Sequence, residues 1–304
     1  MWIFKKMKKP IIYFTKKLSG KSLVELYDEY NKELKGNVAI KVHSGEKGNR
    51  NFIRPTFLAP IIEKVNGTII ESNTAYEGAR NTTEKHLQLL KEHGWDRYNC
   101  DILDSEKDII LDIPNGKIIQ KNYVGDHIKK YNSCLVISHV KGHPMGGFGG
   151  ALKQLSIGFA SSNGKVYIHG HGNFEIGKNN LQEVKSDNQN MFLESMADAA
   201  SSIYNFFAPN ILFINILRNI STSCDCDSNA PRPTIGDIGS LISNDPVAID
   251  QCSLDLILNS RYDNDDDDMN EFLNVVNKLN GTKIIEASEK LGIGSRAYDL
   301  IQID

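Results

Sequence analysis

Between Ser138 and Lys153 the sequence reads SHVKGHPMGGFGGALK, which sets His139, Lys141, His143 and Lys153 among five glycines. An imidazole titrates near neutrality and can pass a proton or ligate a metal. A lysine amine can hold an anion or act as a nucleophile. Gly146, Gly147, Gly149 and Gly150 can take backbone angles closed to other residues and let a ligand approach the main chain. The run is therefore expected to form the floor of an active site. His143, Lys153 and His139 are its catalytic candidates, and Lys141 and the four glycines would bind a cofactor or ligand.

Two shorter clusters could hold a metal. His169 and His171, in HGHG, alternate like strand or loop positions and could face one ligand. Cys224 and Cys226, in CDCD, could chelate a soft metal or form a redox pair; with no second pair they fall short of a zinc or iron–sulfur motif. Cys100, Cys134 and Cys252 sit in apolar or helical surroundings and read as buried small hydrophobes. No Walker A, GxSxG or strand-placed GxGxxG occurs, and GGFGG lacks the acidic residue a dinucleotide site requires.

The elements that must position these groups follow a strand–loop–helix rhythm. Apolar strands are expected at 11–14, 38–42, 67–71, 134–138 and 211–216. Helices are expected from Ser22 to about Leu34, and over 55–65, 83–93, 191–206, 243–258, 271–279 and 284–291. Residues 151–160 read as a helix or tight turn, and β-like pieces fall at 109–113 and 117–120. Such alternation implies an α/β fold, its mostly parallel or mixed sheets flanked by helices. Two lobes, 1–140 and 141–304, could hold the site in a cleft between them. Ligands collect at the carboxyl ends of such strands, which adds His43 and Lys47, after the strand at 38–42, and Asn73 and Arg80, after the strand at 67–71. The polar segment from Gly172 to Gln189 reads as a lid or connection, and Asp263 to Asp268 as a solvated acidic loop.

Composition narrows the partners. A net charge of −3 and 24% charged residues describe a globular chain that as a whole is no polyanion binder, its nearest basic patch being the N-terminal lysines, so nucleic acid is not expected. No stretch approaches the ~20 apolar residues of a membrane span. Five cysteines, an odd number, do not suggest a disulfide framework, and a reducing cytoplasm is the expected setting. Oligomeric state is not legible.

The stretches KVHSGEKGN, NTAYEGAR, SHVKGHPMGGFGGALK, CDC and SNDPVAID resemble the domain of unknown function 362 family, whose members are often labelled uncharacterised Fe-S center proteins. They span nearly the whole chain, as one family domain. Many members carry ferredoxin-like cysteine motifs after the position of His169. This chain has no cysteine there, so no ferredoxin-type cluster is expected. The spacing of His143, Lys153 and His169 is also similar to a motif of the nickel-pincer lactate racemase family. That resemblance implies an acid/base role for His143, attachment of a pyridine-derived cofactor to Lys153, and nickel binding by His169. The second acid/base histidine of that family has no counterpart in the NTAYEGAR loop. Together these readings imply a metal- or cofactor-dependent enzyme, with nickel, iron or zinc, acting on a small anionic molecule by proton-transfer or racemase-like chemistry. A redox protein and a non-catalytic small-molecule binder are the alternatives.

Overall fold

The computed structural model describes residues 8–173, 181, 188–260 and 266–304. The expected lid, Gly172–Gln189, lies largely outside the described residues. So does much of the acidic run; its described part, Asp266–Asp268, opens a helix instead of continuing a loop.

β1 (Ile11–Thr15) leads into α1 (Gly20–Tyr30), whose N-cap is Ser19; Ser22 sits three residues on and closes a capping box. β2 (Val38–Lys41), α2 (Pro55–Val65), β3 (Thr68–Glu71), α3 (Thr83–Glu92) and β4 (Cys100–Ile102) follow in order. A two-stranded ribbon, β5 (Asp108–Asp112) with β6 (Lys121–Gly125), precedes β7 (Ser133–His139). The glycine-rich run is no simple loop: β8 (Lys141–His143) and β9 (Gly147–Gly149) form a tight antiparallel hairpin. α4 (Ala151–Lys153) widens into a π-helical turn over Gln154–Gly158, and α5 spans Ser162–His169. The chain then forms α6 (Gln189–Phe207), β10 (Ile211–Leu217), β11 (Gly239–Ser243), α7 (Pro246–Asn259), α8 (Asp266–Lys278), α9 (Lys283–Lys290) and β12 (Asp299–Gln302).

Eight strands form one sheet in the order β12-β1-β11-β10-β7-β2-β3-β4. It draws strands from both sides of residue 140. From β10 to β4 all neighbours are parallel; β11 runs antiparallel to β10 and β1. β11 and β12 had no counterpart among the expected strands, because each is short and β12 is exposed throughout.

Alternation along the strands splits the core in two. Cys134 and Val136 pack on one face with α6 and α7, while Leu135 and Ile137 pack on the other with residues of α1 and α2. The sheet is thus buried on both faces, as a parallel sheet requires. After β2 the chain moves outward to β3 and β4, then returns to place β7 on the other side of β2. The loops leaving β2 and β7 therefore diverge, opening a crevice at their carboxyl ends.

Candidate functional site

The strand ends supply one wall. Lys41, the last residue of β2, is fully buried and pairs with Glu71, the last residue of β3, at 2.6 Å. The other Glu71 oxygen accepts from the Ser44 backbone N–H at 2.8 Å and the Ser44 hydroxyl at 2.9 Å. Although desolvation opposes it, the surrounding cations, Lys41 foremost, hold Glu71 well below the usual carboxylate range. Beyond them, Arg80 donates to Glu46 (3.1 Å) and to the Tyr76 hydroxyl (2.8 Å).

A second network closes the end of β7. Residues 139, 141 and 143 alternate, so their side chains leave the same side of the chain. Asp225 accepts from Lys141 and contacts Nδ1 of His139 at 2.9 Å, while Lys141 Nζ lies 2.6 Å from that nitrogen. His139 Nε2 donates to the Arg218 carbonyl at 2.5 Å. All three side chains are nearly fully buried. Burial alone would raise the Asp225 pKa, yet Lys141 and His139 hold it well below its ordinary value.

The helical wall differs. Asp250 of α7 accepts from the Ala151 and Leu152 amides at 2.7 and 2.9 Å and from Asn215 at 2.8 Å, anchoring the first turn of α4. A Cβ on Gly150 would lie 2.3 Å from this carboxylate, so that position must be glycine. Burial pushes the Asp250 pKa up to about 6. The SNDPVAID motif is thereby explained: Asp245 caps α7 and Asp250 holds the turn that bears Lys153.

The Lys153 side chain forms no hydrogen bond or ion pair among the described residues, and the residue lines the cavity. Burial drives its pKa down to about 7; Asp225 opposes the shift, and Lys141, Arg80 and Lys41 add to it. Burial also lowers Lys165 to about 8. His169 lies one turn after Lys165 in α5, a helix where strand or loop positions were expected. Its Nδ1–H donates to the Lys165 carbonyl at 2.6 Å, leaving the Nε2 lone pair without a partner among the described residues, the arrangement of a metal ligand or base. Burial lowers its pKa to about 4.

His143 is presented the opposite way round. Its Nδ1 accepts from the backbone N–H groups of Met145 (3.1 Å) and Gly146 (2.8 Å), so the neutral ring carries its proton on Nε2. Burial, then Lys153, His169 and His43, keep it from charging. His43 accepts from the Gly45 N–H at 3.1 Å, with Arg80 3.4 Å from Nε2, and burial and Arg80 hold its pKa well below normal.

His43, Arg80, His143, Lys153 and His169 all line one cavity, together with Lys41, Glu71, Tyr76 and Lys165 and the apolar Met145, Ile157, Phe192 and Met196. An inner recess adds His139, Lys141, Gly149, Gly150, Cys224 and Asp225. Cys224 and Cys226, expected as metal ligands, have their sulfurs bonded to each other, which withdraws both as thiolates in this state. A ring nitrogen of His143 lies within 4.8 Å of both sulfurs. Ligation through Nε2 would force a proton onto Nδ1, against two backbone donors, so the hydrogen bonds His143 makes disfavour it as a metal ligand through that nitrogen.

Other expected residues lie elsewhere. Lys47 is exposed and 3.7 Å from Glu92. The Asn73 side chain donates to Thr83, away from the cavity. His171 sits in the turn after α5 with φ 54° and does not line the cavity. Gly146 and Gly147 do not line it either, and Gly147 packs against Gly281, where a Cβ would come within 2.7 Å. Lys41, Glu71, Lys165 and Asp225 were not singled out. The only trace of the first two is a charged residue closing an apolar strand, VAIK and TIIE.

Fold and site define an α/β protein with a cation-rich, half-apolar cavity at the switch point of its parallel sheet. A family model, domain of unknown function (DUF362), matches residues 38–255, and the chain belongs to that family. Among solved structures it is similar to the lactate racemase apoprotein from Thermoanaerobacterium thermosaccharolyticum, with 19% identity and a TM-score of 0.42 over 67% of this chain and 50% of that one. It is also similar to a structural-genomics protein from Thermotoga maritima, with 12% identity and a TM-score of 0.42 over 89% of this chain and 58% of that one. This chain therefore spans half to under two thirds of the length those structures have. No curated protein matches it. No helix among the described residues is long and apolar enough to cross a membrane.

Proposed function

We propose that the cavity binds a small organic anion and moves a proton on it, in a metal- or cofactor-dependent reaction. The observation that carries this reading is Lys153. It lines a cavity together with Lys41, Arg80 and Lys165, and its amine has no partner among the described residues. An unpaired buried cation is costly, and a bound carboxylate would offset that cost. Ile157, Phe192 and Met196 would exclude water from the ligand's apolar body. With a pKa near 7, Lys153 exists in both forms at neutral pH: the ammonium holds the anion, and the free amine accepts a proton. His143, its Nε2–H fixed, donates a hydrogen bond to an oxygen on which charge develops. Its acid/base role narrows to that of a donor.

The nickel-pincer resemblance can be tested against these residues, and they fit it. Lys153 offers a readily neutralised amine for covalent attachment, and His169 offers a free Nε2 for a metal. Such a group would supply an electron sink that side chains lack. The test is elemental and intact-mass analysis of untagged protein, with calorimetric titration of small carboxylates. Two mutually exclusive outcomes support the reading: a Lys153 adduct with about one equivalent of metal, or a free Lys153 amine with carboxylate affinity at least tenfold lower in Lys153→Ala. Protein with no metal, no adduct and unchanged carboxylate binding in Lys153→Ala would sink the proposal.

A further inference from the structure

Cys224 and Cys226 lie in a loop whose geometry does not depend on the bond between them. The Glu46 N–H donates to the Asp225 carbonyl at 2.8 Å, and Asn49 Nδ2 donates to the carbonyls of Cys224 (3.4 Å) and Asp227 (2.8 Å). The residue between the cysteines, Asp225, is locked by Lys141 and His139. With the sulfur bond opened, the two thiols would still stand side by side. The bond spans a sequence separation of 2, the short-loop limit at which a cross-link removes least entropy from the unfolded chain. A structural staple is therefore a poor account of it. Cys226 is half-buried and lines the main cavity, whereas Cys224 is buried in the inner recess. The Cys226 N–H lies 3.3 Å from the Cys224 sulfur, a donor suited to a thiolate, and a His143 ring nitrogen lies within 4.8 Å of both sulfurs.

We propose that Cys224 and Cys226 form a reversible dithiol–disulfide couple opened through the cavity by a small external dithiol. The reductant's thiolate attacks the accessible Cys226 sulfur; the bond to Cys224 breaks, and Cys224 leaves as a thiolate held by the Cys226 N–H and faced by His143. The reductant's second thiol then attacks the mixed disulfide and releases Cys226. One disulfide is exchanged for another, and the two protons on the protein thiols come from those the reductant loses. The reduced pair places potential negative charge on the cavity wall shared with Lys153, so the couple would report redox state to the anion site. The couple itself needs no substrate; only its effect on the anion site rests on the proposed function.

The experiment equilibrates the folded protein with graded ratios of reduced to oxidised dithiothreitol, traps thiols with a maleimide and maps them by mass spectrometry. The expected result is that Cys224 and Cys226 become labelled together, through one reversible midpoint, while buried Cys134 and Cys252 stay unlabelled until the chain is unfolded. His143→Phe, which removes the ring nitrogen beside the pair, should shift the equilibrium toward the disulfide by about tenfold. Labelling of the pair without any reductant, or labelling only after unfolding, would overturn the proposal. A midpoint identical in His143→Phe, with that variant's circular dichroism unchanged, would remove His143 from it.

Discussion

Lysines line the cavity on two sides and behave oppositely. At the strand ends, Lys41 and Lys141 are matched one to one with Glu71 and Asp225, and each carboxylate takes further hydrogen bonds. On the helical side, Lys153 has no partner and Lys165 has a backbone carbonyl alone among the described residues. Strand-end cations are thus part of what holds the parallel strands and their loops together. Helix-side cations meet no carboxylate partner among the described residues. Proximity to a cavity does not make a lysine functional; an unanswered charge there is the better sign.

The largest expected effect falls on the matched side. Glu71→Ala leaves Lys41 buried and unpaired, which should cost about 3–5 kcal/mol, read as a large drop in the urea midpoint. Lys153→Met should keep or raise that midpoint, since it deletes an unpaired cation and retains most of the apolar stem. Equal losses in the two variants would erase the distinction between the walls.

A pH series sharpens it further. The unfolded chain holds the Lys153 proton up to about 10.5, whereas the folded chain releases it near 7. Between those values the unfolded state binds more protons, so stability should rise with pH by at most about 1.4 kcal/mol per unit. Lys153→Met should flatten that slope. Burial lowers His169 to about 4 in the fold, so its analogous rise lies between about 4 and 6.5 and should survive the Lys153 change. Carboxylate affinity should fall above pH 7 as the ammonium is lost.

Asp250→Asn should be smaller, about 1–3 kcal/mol, because one accepted amide bond at the start of α4 is left unmade. Its carboxylate is already pushed up to about 6 by burial; the variant should weaken anion binding through misplacement of Lys153, seen as a loss of affinity exceeding the loss of stability. Smallest is Lys47→Ala. That side chain is 69% exposed in its ion pair, and neither melting nor carboxylate binding should change measurably.

Much of this was legible before any coordinate. Helix α2 occupies the expected 55–65, and the strands at 38–42 and 134–138 shift by a residue or less at each end. Local signals suffice there: Pro55 at the first turn, β-branched runs, polar loops between. The spacing of His143, Lys153 and His169 likewise marked groups that share a cavity. The glycines were read too generously. Gly142 and Gly150 are required because a Cβ would strike Thr222 or Asp250, contacts made by residues about 80 and 100 positions away.

What the sequence alone determined is the alternation of strands and helices, the candidate groups along one short segment, and the family to which the chain belongs. Only the tertiary structure decided which charges answer one another. Lys41 meets Glu71 because β2 and β3 pair in parallel register, and Asp225 reaches Lys141 because β10 lies beside β7. A charge is legible in a sequence; its neutralisation depends on distance, and distance is set by strand order.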